Sequence, residues 1–280
     1  MATIDPELRI RRVRLAVAEL GRSVDFYEQV LGLPLIERDE ERALLGPDAA
    51  DPALELVALP GAQPAPPRST GLFHVAWLHP SRESLADTVR RIAASPWPFT
   101  GASDHGVSEA LYLDDPDGLG IEVYADRPFE KWGRLPDGGY EIYTAPLDVE
   151  DLLQTSPEGP EPRIAPGTTA GHVHLKVADV DAAARFYLAL GFEQQARIPQ
   201  AAFLAAGGYH HHVGLNSWQS AGGVPAPESP GLRQVAFELG SAQAVDGLAA
   251  AAADAAGPGA PGEVLVRDPD GETLSFAASA

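Results

Sequence analysis

Apolar and polar residues alternate in short runs along the chain, and several of these runs lead into a segment with helical spacing. Arg12–Val17 reads as a strand, Ser23 as a helix cap, and the helical pattern then runs to Leu31 and stops at Gly32. His172–Val177 repeats the strand, with Asp179 or Asp181 as cap and Gly191 as stop. Leu72–Leu78 predicts a strand before a helix over Ser81–Ala94, and Gln234–Leu239 one before a helix over Ser241–Ala256. Short β runs follow the first two: Ala43–Leu44 and Leu54–Leu59, then Ala202–Ala205 and His211–Leu215. The other two are followed by Ala110–Leu113 and Gly120–Tyr124, and by Val264–Arg267 and Thr273–Phe276. DPDG at Asp115–Gly118 and again at Asp268–Gly271 marks a turn before the last strand, its glycine free to take positive φ. The predicted architecture is α+β, built from four βαββ units.

Those units are duplicated. Ile10–Tyr27 (IRRVRLAVAELGRSVDFY) matches Ala170–Tyr187 (AGHVHLKVADVDAAARFY) without a gap, and Gly71–Trp77 (GLFHVAW) matches Gly231–Phe237 (GLRQVAF). The chain thus reads as unit A1 over 1–64, B1 over 68–128, a linker with a helical stub over 129–168, A2 over 169–220 and B2 over 230–280. Pro/Gly-rich stretches at Gly61–Pro67, Pro157–Pro166 and Gly222–Pro230 separate them, and Leu147–Leu153 is the acidic stub. All eight histidines lie between His74 and His212, in B1 and A2 alone. One composite site at the B1–A2 junction accounts for that, provided B1 pairs with A2 and A1 with B2. Two curved mixed-sheet half-barrel domains are expected.

Composition narrows the class of partner. A formal charge of −20 disfavours nucleic acid and anionic membrane surfaces, which need a positive face. The absence of cysteine excludes disulfides, zinc–thiolate sites and iron–sulfur clusters. No signal peptide is expected, because MATIDPELRIRRV lacks an apolar run, and no stretch approaches 18 uninterrupted apolar residues. A cytoplasmic protein is expected, and homo-oligomerisation is left open.

Three residues stand out chemically. His74 lies in the first strand of B1, His172 in the first strand of A2, and Glu122 in the last strand of B1. On the concave side of one curved sheet they could face a single ion, as the two-histidine, one-carboxylate set of non-haem Fe(II) oxygenases does. A lone strand histidine is ordinarily a hydrogen-bonded core or surface residue. A carboxylate inside GIEVY is harder to dismiss, because burying it unpaired is costly. The duplication sharpens the reading, since the corresponding outer residues are Arg12, Gln234 and Ser275, which cannot hold a metal as a set. His174 is assigned to the opposite strand face, so His172 is preferred. His210, His211 and His212 begin the last strand of A2, where one could serve as acid–base group, His210 and His212 sharing a face and His211 taking the other. Tyr112 stands on the partner strand of Glu122, His105 precedes it in a loop, and His79 reads as a surface residue.

With these residues in place, the chain resembles the vicinal oxygen chelate superfamily and, within it, the two-domain extradiol dioxygenases of the catechol-2,3-dioxygenase branch. The resemblance rests on GLFHVAWLHPSRESLA (71–86), GASDHGVSEALYLDDPDGLGIEVYADRP (101–128), GHVHLKVADVDAAARFY (171–187) and GGYHHHVGLNSW (207–218). It implies Fe(II), or Mn(II), held by His74, His172 and Glu122, with a catechol-type substrate and O2 as reactants and cleavage beside the two hydroxyls. It further implies Tyr112 as a hydrogen-bond donor to substrate oxygen and a histidine opposite as acid–base catalyst; the spacing of that motif falls on His211, while strand facing favours His210 or His212. His105 and His212 complete the candidate catalytic set. Two features depart from the family pattern: the ligands straddle the two halves, and Leu119 stands where the branch has asparagine. A glyoxalase-like isomerase or lyase, with a fourth protein ligand, and a metal-free binding protein are the alternatives on the same scaffold.

Overall fold

The computed structural model describes residues 3–136, 138–156, 160–252 and 256–279. A1 comprises β1 (Arg9–Val17), α1 (Leu20–Gln29), β2 (Leu35–Arg38), β3 (Arg42–Leu45) and β4 (Leu54–Ala58). B1 comprises β5 (Gly71–Leu78), α2 (Arg82–Ala94), β6 (Gly101–Asp104), β7 (Ser108–Asp114) and β8 (Gly120–Asp126). β9 (Ala145–Pro146) and α3 (Val149–Gln154) follow, and then A2 with β10 (Thr169–Lys176), α4 (Val180–Ala189), β11 (Glu193–Ile198), β12 (Ala201–Ala205) and β13 (Val213–Asn216). B2 closes the chain with β14 (Gly231–Leu239), α5 (Ala242–Ala251), β15 (Ala256–Pro258), β16 (Glu263–Arg267) and β17 (Thr273–Ala278).

Two mixed sheets result. The outer one runs β15-β16-β17-β14-β1-β4-β3-β2 and the inner one β11-β12-β13-β10-β5-β8-β7-β6-β9. β1 pairs antiparallel with β14, and β5 with β10, so the centre of each sheet joins strands from different halves of the chain. Each unit holds one strand more than the pattern predicts. The additional ones, β2, β6, β11 and β15, lie at or next to sheet edges. Edge strands bury little on either face: Leu35–Arg38 and Glu193–Ile198 are largely exposed or half-buried, so no apolar alternation marks them.

Of the two caps expected for α4, Asp179 is the one used, and Ser81 and Ser241, expected as the first residues of their helices, cap α2 and α5 from just outside them. Ser23 does not cap α1. Glu19 does, accepting from the amides of Gly21 and Arg22, and Ser23 is buried within the helix. Gly32 and Gly191 end α1 and α4 at φ of 75° and 97°. The helix predicted over Ser241–Ala256 stops at Ala251, and residues 253–255, like 157–159 of the linker, lie outside the described residues. His79 is buried rather than exposed. Its amide bonds to the Tyr124 carbonyl, which extends the β5–β8 pairing, and burial beside Arg91 lowers its pKa to about 3.

Core residues from both sheets form one continuous cluster that includes Val13 and Leu15 of β1 and Val173 and Leu175 of β10. The linker is integrated into this body. β9 pairs with β6, and Asp148 caps α3. Among the described residues no helix is long and apolar enough to cross a membrane.

Candidate metal centre

Two adjacent rows of residues cross the inner sheet. The first runs His172, Ala76, Glu122, Tyr112 and Gly101, each opposite the next on neighbouring strands. The second runs Phe203, Gly214, His174, His74, Gly120 and Asp114. Residues two apart on a strand share a face, so His174 lies on the side of His172 and not on the opposite one. Both line the same cavity. Ala76 decides the geometry of the first row. It offers only a methyl group between His172 and Glu122, and the two longer side chains meet above it. A side chain at Gly120 would run into the Phe73 carbonyl and crowd His74, so glycine there lets β5 and β8 close up beside the site.

The three donor atoms form a nearly equilateral triangle. His74 Nε2 lies 3.0 Å from Glu122 Oε2, His172 Nε2 lies 3.2 Å from the same oxygen, and the two nitrogens are 3.3 Å apart. All three residues are buried. Burial lowers the pKa of His172 to about 4, so its imidazole is neutral. Burial pushes Glu122 upward, but the facing His172 and His74 outweigh it and hold the carboxyl well below the usual range. The result is a buried carboxylate faced by two imidazoles, a donor set suited to a divalent ion. Three donors about 2.1 Å from one ion and at right angles to one another would stand about 3.0 Å apart. The observed triangle fits that requirement.

The remaining histidines separate by position. His211 lines the cavity, its ring 4.0 Å from that of His172. His210 is fully buried behind it, with Nδ1 2.8 Å from His211 Nδ1 and Nε2 2.8 Å from Asp126 Oδ1. A carboxylate only accepts, so His210 carries its proton on Nε2. Its Nδ1 then accepts from His211 Nδ1–H, which leaves His211 Nε2 as a bare lone pair on the cavity side. His212 turns away, accepting the Ala206 amide on Nδ1 at 3.2 Å. These three residues precede β13 instead of starting it, so strand facing does not apply to them. Tyr112 and His105 also meet at the cavity, 2.7 Å apart, and His105 Nδ1 lies 2.7 Å from the Tyr143 carbonyl. A carbonyl only accepts, so His105 donates through Nδ1, while the Tyr112 hydroxyl is held between His105 Nε2 and the Glu122 carboxylate.

The sequence gives no direct sign of Ala76, Gly120 or Asp126, whose roles arise from strand pairing and from the loop that carries His210. The cavity encloses about 560 Å³ and is walled by apolar groups including Phe73, Ile121, Ile142, Phe203 and Trp218.

The outer sheet carries the duplicate positions with other chemistry. Arg12, Ala236 and Ser275 occupy one row. Gln234 Nε2 donates to Ser275 Oγ at 2.7 Å, while Arg12 turns to the Pro52 carbonyl at 2.8 Å. Arg14 and Glu55, opposite each other like His174 and Gly214, form an ion pair at 3.0 Å.

The family profile described as Glyoxalase/Bleomycin resistance protein/Dioxygenase superfamily matches residues 9–123 and 169–276. The chain is 39% identical over 231 residues to a catechol-2,3-dioxygenase of Bacillus subtilis (strain 168), covering 81% of each protein. Among solved structures it resembles a proposed dioxygenase from Bacillus subtilis, with a TM-score of 0.64 at 14% identity over 99% of this chain and 86% of that one. Glyoxalase I from Zea mays matches with a TM-score of 0.58 at 18% identity, over 97% and 92% of the two chains. At such identities the structural likenesses speak for the fold.

Proposed function

Because the chain belongs to the Glyoxalase/Bleomycin resistance protein/Dioxygenase superfamily, we propose that it is an extradiol ring-cleaving dioxygenase. It would act on a catechol-type substrate and O2 with Fe(II) held by His74, His172 and Glu122; Mn(II) suits the same donors. The observation that carries this reading is the facial triangle of 3.0–3.3 Å opening onto an aromatic-walled cavity. Three protein donors grouped at one side of the cavity would hold the ion and leave room there for the substrate and O2. When bound, such an ion supplies Lewis acidity that lowers the pKa of a coordinated hydroxyl and brings both reactants together.

The chain's own groups do the rest. His211 presents a bare Nε2 and takes a substrate hydroxyl proton, because Asp126 and His210 fix its other nitrogen as a donor. Tyr112 lies beside Glu122, its hydroxyl held at the cavity by His105 and by that carboxylate, where it can donate to a substrate oxygen. Burial raises the Tyr112 pKa, so the phenol remains protonated. Phe73, Phe203 and Trp218 offer aromatic faces to a planar ring and exclude water.

Protein purified without air, assayed for bound metal and for O2 uptake with catechol, tests the reading. One equivalent of Fe or Mn, lost in each of His74→Ala, His172→Ala and Glu122→Ala together with ring cleavage, is expected. A protein whose His211→Ala variant also loses metal would hold a fourth ligand, and an isomerase would then be the better assignment.

A further inference from the structure

One group in the cavity has no task in the chemistry above. His174 is buried, lines the cavity, and has no hydrogen-bond partner for Nε2. The same ring is hydrogen-bonded to the Leu215 carbonyl, and with Nε2 unpartnered that bond belongs to Nδ1. A carbonyl can only accept, so Nδ1 carries the proton and Nε2 is an acceptor lone pair. Gly214 lies directly across from His174 in the strand pairing, and a Cβ there would press on the ring at 2.8 Å from Cγ. The absence of a side chain at 214 is what seats the ring flat against β13, with Nε2 at the end away from that backbone. An unmet acceptor buried among Phe73, His74 and Trp218 costs free energy unless something donates to it.

A second observation concerns charge. No lysine or arginine stands among the described residues that line the cavity, whereas Glu122 and Asp114 do. A carboxylate on the substrate would find no cationic side chain there and would be desolvated in the same cavity as Asp114.

The geometry points to His174 as the residue that selects among substrates, accepting a hydrogen bond from a neutral donor, a hydroxyl or amine, carried on the ring of an uncharged vicinal diol. This rests on the catechol reading of the site given above. The diol itself engages the centre at His74, and His174, with its ring centroid 5.0 Å from that of His74, meets a substituent beside the diol. A ring bearing a methyl group in that place leaves Nε2 unmet, and one bearing a carboxylate brings a charge that no lysine or arginine of the cavity pairs with.

Equilibrium binding separates these cases without turnover. Metal-loaded protein is titrated in the absence of O2 with catechol, with 3- and 4-methylcatechol, with the matching hydroxymethyl compounds, and with 3,4-dihydroxybenzoate; isothermal titration calorimetry reports occupancy. The expected result is that one hydroxymethyl isomer binds about tenfold tighter than its methyl analogue, and that the carboxylate compound binds weakest. His174→Leu should retain its metal and lose the hydroxymethyl preference, and His174→Gln, which keeps an acceptor, should recover part of it. Equal affinity for both members of each pair in the wild-type protein overturns the assignment, whatever the variants do. So does a preference that survives in His174→Leu, or tightest binding of the carboxylate. Failure of catechol itself to bind overturns the dioxygenase reading and this inference with it, and is distinct from equal binding of the paired analogues.

Discussion

Tyr27 donates its hydroxyl to the Asp115 carboxylate at 3.3 Å, a bond between a helix on the outer sheet and a turn of the inner one. The second half repeats it in the opposite sense. Tyr187 of α4 donates to Asp268 at 3.2 Å, in the turn between β16 and β17. The amides of Ala18 and Ala178 add matching bonds to Asp117 and Asp270 in the same two turns. Because units from different halves share each sheet, these links tie one domain to the other. Both DPDG motifs thus act as docking points as well as turns, with Gly118 and Gly271 at positive φ and Leu119 accommodated through its amide bond to Asp115.

Removing one of these hydroxyls should weaken the joint. Tyr27→Phe and Tyr187→Phe should each cost about 1–2 kcal/mol, and their effects should add, since the bonds share no partner. Urea denaturation of the two single variants and the double variant checks both statements. A loss confined to one of them would show that the two joints are not equivalent.

Asp115 should also give a pH signature. Burial raises its carboxyl pKa to about 7, against the amide bonds from Leu119 and Asp117 that favour the charged form. A carboxyl whose folded pKa exceeds its unfolded value stabilises the fold fully below the unfolded value, near 4, and loses that contribution as pH rises through about 7. The stability of wild type relative to Asp115→Asn should therefore fall between those limits. A difference that stays flat across that window would contradict the assignment.

Ala76 should control metal binding without being a ligand. Ala76→Val places two methyl groups between His172 and Glu122 and forces the triangle apart. Metal affinity should fall by at least about tenfold, while Ala76→Ser, close to alanine in size, should bind nearly normally. Titration of metal-stripped protein with Fe(II) or Mn(II) measures it.

Acid–base and positioning roles should separate from metal binding. His211→Ala should keep its metal and lose about 10²–10⁴-fold in turnover. Tyr112→Phe should keep its metal and lose less. Asp126→Ala should preserve His211 but free its tautomer, giving a smaller loss and an altered pH–rate profile that Asp126→Glu restores in part. Loss of metal in the Asp126 variant would place it among the supports of the ligands instead.

Arg91 should be needed for the fold alone. Its guanidinium donates to the carbonyls of Leu31 and Glu161 and to Thr88, and closes the end of α1 from a neighbouring unit. Burial lowers its pKa to about 10, still far above neutrality, so it stays charged. Arg91→Met would leave those buried acceptors unmet, at about 2–4 kcal/mol, with metal content unchanged in the folded fraction. Thermal and urea denaturation with metal analysis distinguish this from a role at the site.

What the amino-acid sequence determines here is what local chemistry and repetition can encode. The duplication, the α+β composition of each unit, the helix starts near Ser81, Asp179 and Ser241, and the confinement of histidine to B1 and A2 all follow from residue order. His74, His172 and Glu122 stand out for the same reason, because their outer counterparts are chemically unlike them. Tertiary structure decides the rest. Edge strands such as β2 and β11 carry no alternation because neither face is fully buried, so pairing with a neighbour, not pattern, makes them strands. His174 faces the cavity because a strand repeats every two residues, and its ring is seated by a glycine on a strand far along the chain. The identity of the cavity-facing histidine within His210–His212 depends on the loop before β13 and on Asp126 behind it. Ala76 becomes a determinant of the site only once β10, β5 and β8 lie side by side, because the space between His172 and Glu122 belongs to the sheet and not to any one segment.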